Sequence, residues 1–322
     1  MAEEKKENPR YKGIKKEIAD ELQQDEILYF REDKPIPFCG LTIYPIQVRD
    51  YELFCSCSAC LTLNRKETAA GIVMTDLEFL LSKLKDKKEG ADWSFKIQKL
   101  LELIFHIDNG FKCQNKKCNT VISYTSKEFL QYVGEVQKAA ENKETPPPLI
   151  CPKCGGKEFV EMIGVVQDQT TKKHNLVVDG HVITPKDFSR LRQIVMFQNI
   201  PDYHDDSWVD PELRKDYEAK LELQRKKNNY SAPLERKVIA IAMHTGYKFE
   251  EIYDMPIRKF TQMLSMIDDL IDYKITKSAS MSGFVSFPKD FKIEHWLYKP
   301  EKDMYGDAYQ SLDDLKAKTS NL

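Results

Sequence analysis

The sequence lacks any apolar run long enough to span a bilayer. A stretch such as LLELIF (Leu100 to Phe105) falls far short of the about 20 residues a membrane helix needs. The opening MAEEKKENPR is hydrophilic and offers no apolar core for a secretory signal, so a soluble chain in a reducing compartment is expected. Charge of one sign is also lacking. A net charge of −2 argues against a protein held to nucleic acid by bulk electrostatics. Eight cysteines in 322 residues are too sparse for a disulfide scaffold. No glycine-rich phosphate loop, nucleophile elbow, dinucleotide fingerprint or His-Glu-x-x-His element occurs. The expectation is therefore that the chain is not an enzyme, and no catalytic residue is assigned.

What is present is ordinary apolar content, 41%, enough for real cores, in a length of 322 residues that suits two or three compact units. The cysteines fall in two sets. Cys39, Cys55, Cys57 and Cys60 lie early, and Cys113, Cys118, Cys151 and Cys154 lie mid-chain. In the second set FKCQNKKCNTVISY is followed, after an insertion, by ICPKCGG. Each half can form one turn bearing two thiolates. Gly155 and Gly156 let backbone amides turn toward sulfur without a Cβ clash. The flanking TVISY and KEFVEMIGVV read as strands. Two hairpins pinning one ion describe a zinc ribbon, with Zn2+ bound by Cys113, Cys118, Cys151 and Cys154. Four thiolates close the coordination shell and leave no place for water, so the metal is expected to be structural. Residues 111–160 hold eight lysines and five glutamates without arginine or aspartate. The resulting +3 falls to about +1 once a zinc tetrathiolate is counted, a poor footprint for a phosphate backbone.

The remainder reads as mainly helical. Ile14, Ile18 and Leu22 suggest a short amphipathic helix, and DKPIPFCGLTIYPI an extended segment with turns. Thr75 with Glu78, and Thr125 with Glu128, have capping-box spacing. WSFKIQKLLELIFHI continues the helical pattern. Pro146 to Pro148 are expected to end the helix inserted between the two cysteine pairs. Asp179-Gly180 suits a tight hairpin turn. Thr184 and Pro185 mark a helix start, and Gly246 a helix end. Ile257, Phe260, Leu264, Ile267 and Ile271 form a stripe. GFVSF and IEHWLY read as short strands or extended docking segments.

Other clusters are weaker. CSCSAC with Cys39 is a possible second metal site, but Cys55 and Cys57 are spaced too tightly for the usual turn. A small-residue patch in a packed core is the better account. Asp202, His204, Asp205, Asp206 and Asp210 lack the loop glycine of a calcium hand and read as a solvated acidic loop or a surface for a basic partner. AMHTGYKFEEIYDMPIRKF has a helix–turn–helix outline. Its second helix carries Lys248 against Glu250, Glu251 and Asp254, which phosphate would repel. His106, His174, His181, His244 and His295 are isolated and read as structural.

The stretch KPIPFCGLTIYPIQVRDYELFCSCSACLTLNRKE, with GIVMTDLEFLL after it, resembles the opening of tail or baseplate proteins of contractile-tailed bacteriophages and related prophages. ITPKDFSRLRQIVMFQNIPDYHDD, HTGYKFEEIYDMPIRKF and SGFVSF followed by IEHWL are similar to the same family, so that the likeness is scattered over about two thirds of the chain. The resemblance implies a structural or chaperone-like role in the distal tail, other tail or baseplate proteins as partners, a multi-copy assembly, and a virion location after synthesis in the host cytoplasm. It also implies that the four-cysteine ribbon is a zinc module of that family.

The expected fold is α+β, with mainly helical units flanking a central four-cysteine zinc ribbon. The expected divisions are a helical arm over 1–30, an extended and helical domain over 31–108, and the ribbon with its hairpin over 109–183. A helical domain over 184–300 and a charged tail over 301–322 complete it. The expected function is a structural zinc-binding component of a tail baseplate. The alternative is a zinc-ribbon nucleic-acid-binding or transcription-associated factor.

Overall fold

A computed structural model describes residues 9–298 apart from 116, 208, 229–231, 283, 289 and 290. The first eight residues of the expected arm and the charged tail lie outside the described residues. The fold is mixed α+β, mostly helical with small antiparallel sheets. Two compact units are present. One comprises residues 24–199 with 253–257, and the other residues 1–23, 200–252 and 258–322.

In the first unit, strands β1 (Ile36–Phe38) and β2 (Leu41–Ile43) pair antiparallel. Their two-residue turn has positive φ at both Cys39 (47°) and Gly40 (80°), the backbone that matches the twist of a tight hairpin. Helices α2 (Tyr51–Cys57), α3 (Ala59–Thr62), α4 (Asp76–Leu84) and α5 (Gly90–Phe105) follow. Their apolar faces bury Phe54, Leu61, Leu77, Leu80, Leu100, Leu101 and Ile104. Thr75 and Glu78 form the expected reciprocal capping box at the start of α4. His106 ends α5 in the left-handed conformation and stacks on Tyr44 at 4.1 Å, a structural role as expected.

The middle of this unit holds two three-stranded sheets. The first has the order β4–β3–β5, from β3 (Gly110–Cys113), β4 (Val121–Ser123) and β5 (Phe159–Glu161). Helix α6 (Lys127–Glu141) is inserted between β4 and β5. Its cap is Ser126, which accepts from the Phe129 amide, not Thr125. Hydroxyls at both positions make the sequence spacing ambiguous by one residue. The helix ends before the prolines, because left-handed Lys143 closes it and the Glu144 amide reaches back to the Ala139 carbonyl. The second sheet has the order β6–β7–β8, from β6 (Ile163–Gln167), β7 (His174–Val178) and β8 (His181–Ile183). The expected turn at Asp179 (φ 45°) and Gly180 (φ 79°) joins its last two strands. Met162 links the sheets, donating its amide to Gly110 and accepting from that of Asp179.

Helix α7 (Pro185–Asn199) completes the unit. Thr184 caps it, accepting from the Asp187 amide, and Pro185 begins it as expected. Its buried Arg192 bonds the Leu61 carbonyl and, at 2.8 Å, the Asp76 carboxylate. Ser189 donates to the same oxygen at 2.7 Å.

The second unit contains most of α1 (Lys16–Asp25), α8 (Pro211–Asn228), α9 (Leu234–Thr245), and most of α10 (Phe249–Tyr253) and α11 (Ile257–Ser282). Val238 and Ile241 are buried, and Gly246 (φ 79°) ends α9 as expected. Burial fades along α11, from Phe260 through half-buried Leu264 and Ile267 to exposed Ile271. GFVSF and IEHWLY form no strand among the described residues. Instead the His295 ring lies 5.3 Å from Tyr273, and Phe287 stacks on Phe291 at 4.6 Å.

Candidate metal centre

Strand β3 ends on Cys113, and the chain turns so that Cys118 comes back beside it. The Cys118 amide bonds the Asn115 carbonyl (2.8 Å), and the Cys113 amide bonds that of Thr120 (2.9 Å). The second half is tighter. The Gly155 amide bonds the Cys151 carbonyl (2.9 Å), and the Cys151 amide bonds that of Gly156 (2.8 Å). Left-handed Gly155, at φ 71°, closes this turn. The Gln114 amide reaches the Glu158 carbonyl at 3.0 Å, and β5 pairs with β3. The two turns therefore meet although the α6 insertion separates them in sequence.

The four sulfurs converge. Cys113 and Cys154 are 3.6 Å apart, Cys118 and Cys151 are 3.5 Å apart, and all four lie within 4.8 Å of one another. A disulfide needs about 2.05 Å, and all four thiols are free. Zinc bound about 2.3 Å from each sulfur of a tetrahedron places neighbouring sulfurs about 3.8 Å apart. The cluster matches that spacing, and it can hold a metal ion such as zinc. Cys113, Cys118 and Cys151 are buried and Cys154 is exposed. Phe159 packs against the buried three.

The electrostatics show why such a cluster suits a cation. Burial disfavours the Cys151 thiolate, but the amides of Cys154 and Lys153 outweigh it and bring the thiol down to about 6. At Cys113 the Asn115 amide favours the thiolate, yet burial and the neighbouring sulfurs of Cys154, Cys151 and Cys118 push it up to about 12. Four thiols in one site cannot all ionise without an opposing charge, so the first proton leaves easily and the last is held. Two further groups support the site, the Thr120 hydroxyl, which the sequence did not single out, and the Gly156 amide, which it did. Thr120 Oγ1 lies 3.1 Å from the Cys118 sulfur, and the Gly156 amide donates to that of Cys154 at 3.4 Å. A threonine two residues past a cysteine is too common a pattern to have pointed there.

The early cysteines do not converge. Cys57 and Cys60 are buried in the helical core, where burial raises both thiols, Cys60 to about 12. Cys55 is exposed on α2, and Cys39 is exposed on the β1–β2 turn. The core-patch account thus holds for two of the four. Among the described residues, the mid-chain cysteines are the one group of three or more potential ligands drawn together.

The acidic loop is less solvated than its composition suggests. Asp205 is buried and accepts from the Ser207 amide at 3.1 Å. Asp206 pairs with Arg214 at 3.1 Å. Asp210 accepts from the amides of Glu212 and Leu213, capping α8. Among the described residues no helix is long and apolar enough to cross a membrane.

Residues 225–301 match the family model described as the YomV second domain. No curated protein and no solved structure matches the chain. The matched stretch takes in the end of α8, all of α9, α10 and α11, and the segment that packs beside α11, but not the cysteine cluster.

Proposed function

We propose that the chain is a structural zinc-binding component of a contractile phage tail baseplate, where it scaffolds or assembles neighbouring tail subunits and performs no catalysis. The observation that carries this reading is the closed shell of four sulfurs held by two hydrogen-bonded turns. All-thiolate tetrahedral sites favour zinc, and a site with four protein ligands keeps no open position for substrate or water. Cys113, Cys118, Cys151 and Cys154 are the ligands. The ion's role is to fold the segment, stabilising it by on the order of 10 kcal/mol. The likeness of residues 225–301 to the second domain of YomV, a Bacillus prophage-associated protein, supports a prophage setting. The scattered tail and baseplate resemblance narrows that setting to the distal tail.

The test is quantitative mass spectrometry and elemental assay of particles purified after induction of the host prophage. The expected result is this chain at a fixed ratio to the other tail proteins, with one zinc per copy. Absence from particles at every assembly stage, with salt-sensitive binding of the purified chain to free DNA, would replace this reading with that of a nucleic-acid factor.

A further inference from the structure

The second sheet ends abruptly. Its order is β6–β7–β8, so β6 has a partner on one side. Across the core-facing layer, Ile183 is 0% exposed, its neighbour Leu176 is 4% exposed, and the next residue outward, Val165, is 45% exposed. The apolar layer thus runs on past the edge that this chain provides. On the other face Val166 is likewise 47% exposed.

The backbone says which groups are free. The Asp168 amide bonds the Lys173 carbonyl, and the Asp179 amide bonds that of Met162. Inward hydrogen-bonded pairs in an antiparallel ladder recur at every second residue. Positions 162, 164, 166 and 168 therefore face β7, and Ile163, Val165 and Gln167 present their amides and carbonyls outward. Among the described residues no backbone or side-chain group bonds those outward groups. The run from Phe159 to Gln167 also contains no lysine, arginine or proline, the residues that ordinarily blunt an open edge.

We propose that β6 is a dimerisation edge that pairs antiparallel with β6 of a second copy of this chain, about a two-fold axis at Val165. That register opposes Val165 to its own copy, so both residues exchange their outward hydrogen bonds, and Ile163 to Gln167. It sets Gly164 against Val166, Met162 against Asp168 and Glu161 against Gln169. No like charges meet, although Glu161 and Asp168 both flank the strand. Because the axis makes the contact isologous, the assembly closes at two copies rather than growing into a fibre. The paired sheets form one six-stranded sheet, in which each Val165 covers the other. A contact of this length is small beside the about 800 Å² per partner of a standard interface, so the dimer is of micromolar rather than nanomolar strength. The proposal does not depend on the chain belonging to a phage particle.

The test is sedimentation equilibrium of the metal-loaded full chain from about 1 to 200 μM, a range set by that interface size. The wild type is expected to dimerise within it. Val165→Lys, which sets two ammonium groups together at the axis, is expected to weaken association at least tenfold. Val165→Pro removes an amide that points away from β7, and it should do the same with metal content and circular dichroism unchanged. If Val165→Pro fails to fold, Val165→Lys decides alone. A wild type monomeric throughout, whether its edge stays open or accepts a strand of another protein, would overturn the proposal. So would a dimer of unaltered strength in a folded Val165→Lys.

Discussion

Asn199, at the end of α7, takes the backbone amide of Ile46 on its side-chain oxygen at 2.9 Å and donates its own nitrogen to the Val195 carbonyl at 2.9 Å. The segment around Ile46 is stitched at alternate residues. Tyr44 donates to Ile104, Val48 donates to Met255, and the Ile46 carbonyl accepts from Ile257. Pro45 falls between these bonds, where no donor is required. A chain read as extended is thus held by three separate segments with little sheet of its own.

Replacing Asn199 by alanine leaves a buried amide at Ile46 without an acceptor. The expected loss is about 2 kcal/mol of unfolding free energy, the penalty for an unsatisfied buried donor, read as a lower urea midpoint with unchanged slope. Metal content should not change, because Asn199 bonds Ile46 and Val195 and none of the four cysteines. A variant as stable as wild type would mean that the Ile46 amide finds another acceptor.

Gly156 is constrained by space and Gly155 by conformation, and the two substitutions separate these effects. A Cβ on Gly156 would lie 3.2 Å from the Cys154 sulfur and 3.6 Å from that of Cys113. Metal sites tolerate ligand displacements of only about 0.2 Å, so Gly156→Ala should weaken metal affinity about tenfold or more in a chelator competition. Gly155 has open space around its Cβ position but sits at φ 71°. Gly155→Ala should therefore cost roughly 1–2 kcal/mol of backbone strain, and Gly155→Asn less.

Much of this was legible in the sequence because the signals were local. CPKCGG, Asp179-Gly180, Thr75 with Glu78, Thr184-Pro185 and Gly246 each specify a turn or cap within a few residues, and each occurs where expected. What was hidden depends on distant partners. KEFVEMIGVV is not one strand, because Met162 bonds Gly110 on one side and Asp179 on the other and so divides the run between two sheets. The aromatic stretch near His295 was open between a short strand and an extended docking segment, and it takes the second form, with the His295 ring against Tyr273 of α11. Asp205 looked solvated because its burial comes from the tertiary fold, not from its neighbours in sequence. The four thiols were identifiable as a set, while the insertion of α6 hid how their two halves meet.

The α4 capping box gives a pH prediction. The backbone amide of Thr75 holds the Glu78 carboxyl below its usual range against a smaller effect of burial, and the Thr75 hydroxyl adds to this. A carboxylate depressed in the folded state contributes stability above its unfolded value, about 4.3. That contribution is lost as pH falls through the lower folded value. Thr75→Ala should cost about 1 kcal/mol at pH 7. The difference between variant and wild type should shrink in denaturant titrations below about pH 4, where the glutamate of the unfolded chain is protonated. A difference constant from pH 7 to pH 3 would mean that the hydroxyl alone carries the cap.

Removal of the metal should act on one region and not the whole chain. The core of α2, α4, α5 and α7 is built from Phe54, Leu77, Leu101 and Phe188 and shares no ligand with the cluster. The sheet of β3, β4 and β5 has only short ladders, and it packs around the three buried cysteines with Phe159, Ile122 and the rings of Phe111, Tyr124 and Phe129, a small apolar core that is expected to rely on the ion. Chelation, or the paired change of Cys151 and Cys154 to serine, should raise amide hydrogen exchange over residues 110–125 and 150–162 by several orders of magnitude. Protection in α5 and α7 should persist. Acidification should mimic chelation, because ligand thiolates must be reprotonated to release the ion, so metal occupancy falls as pH falls. If exchange in those two segments matched the holo protein after complete metal removal, the sulfur cluster would be a consequence of the fold and not its support.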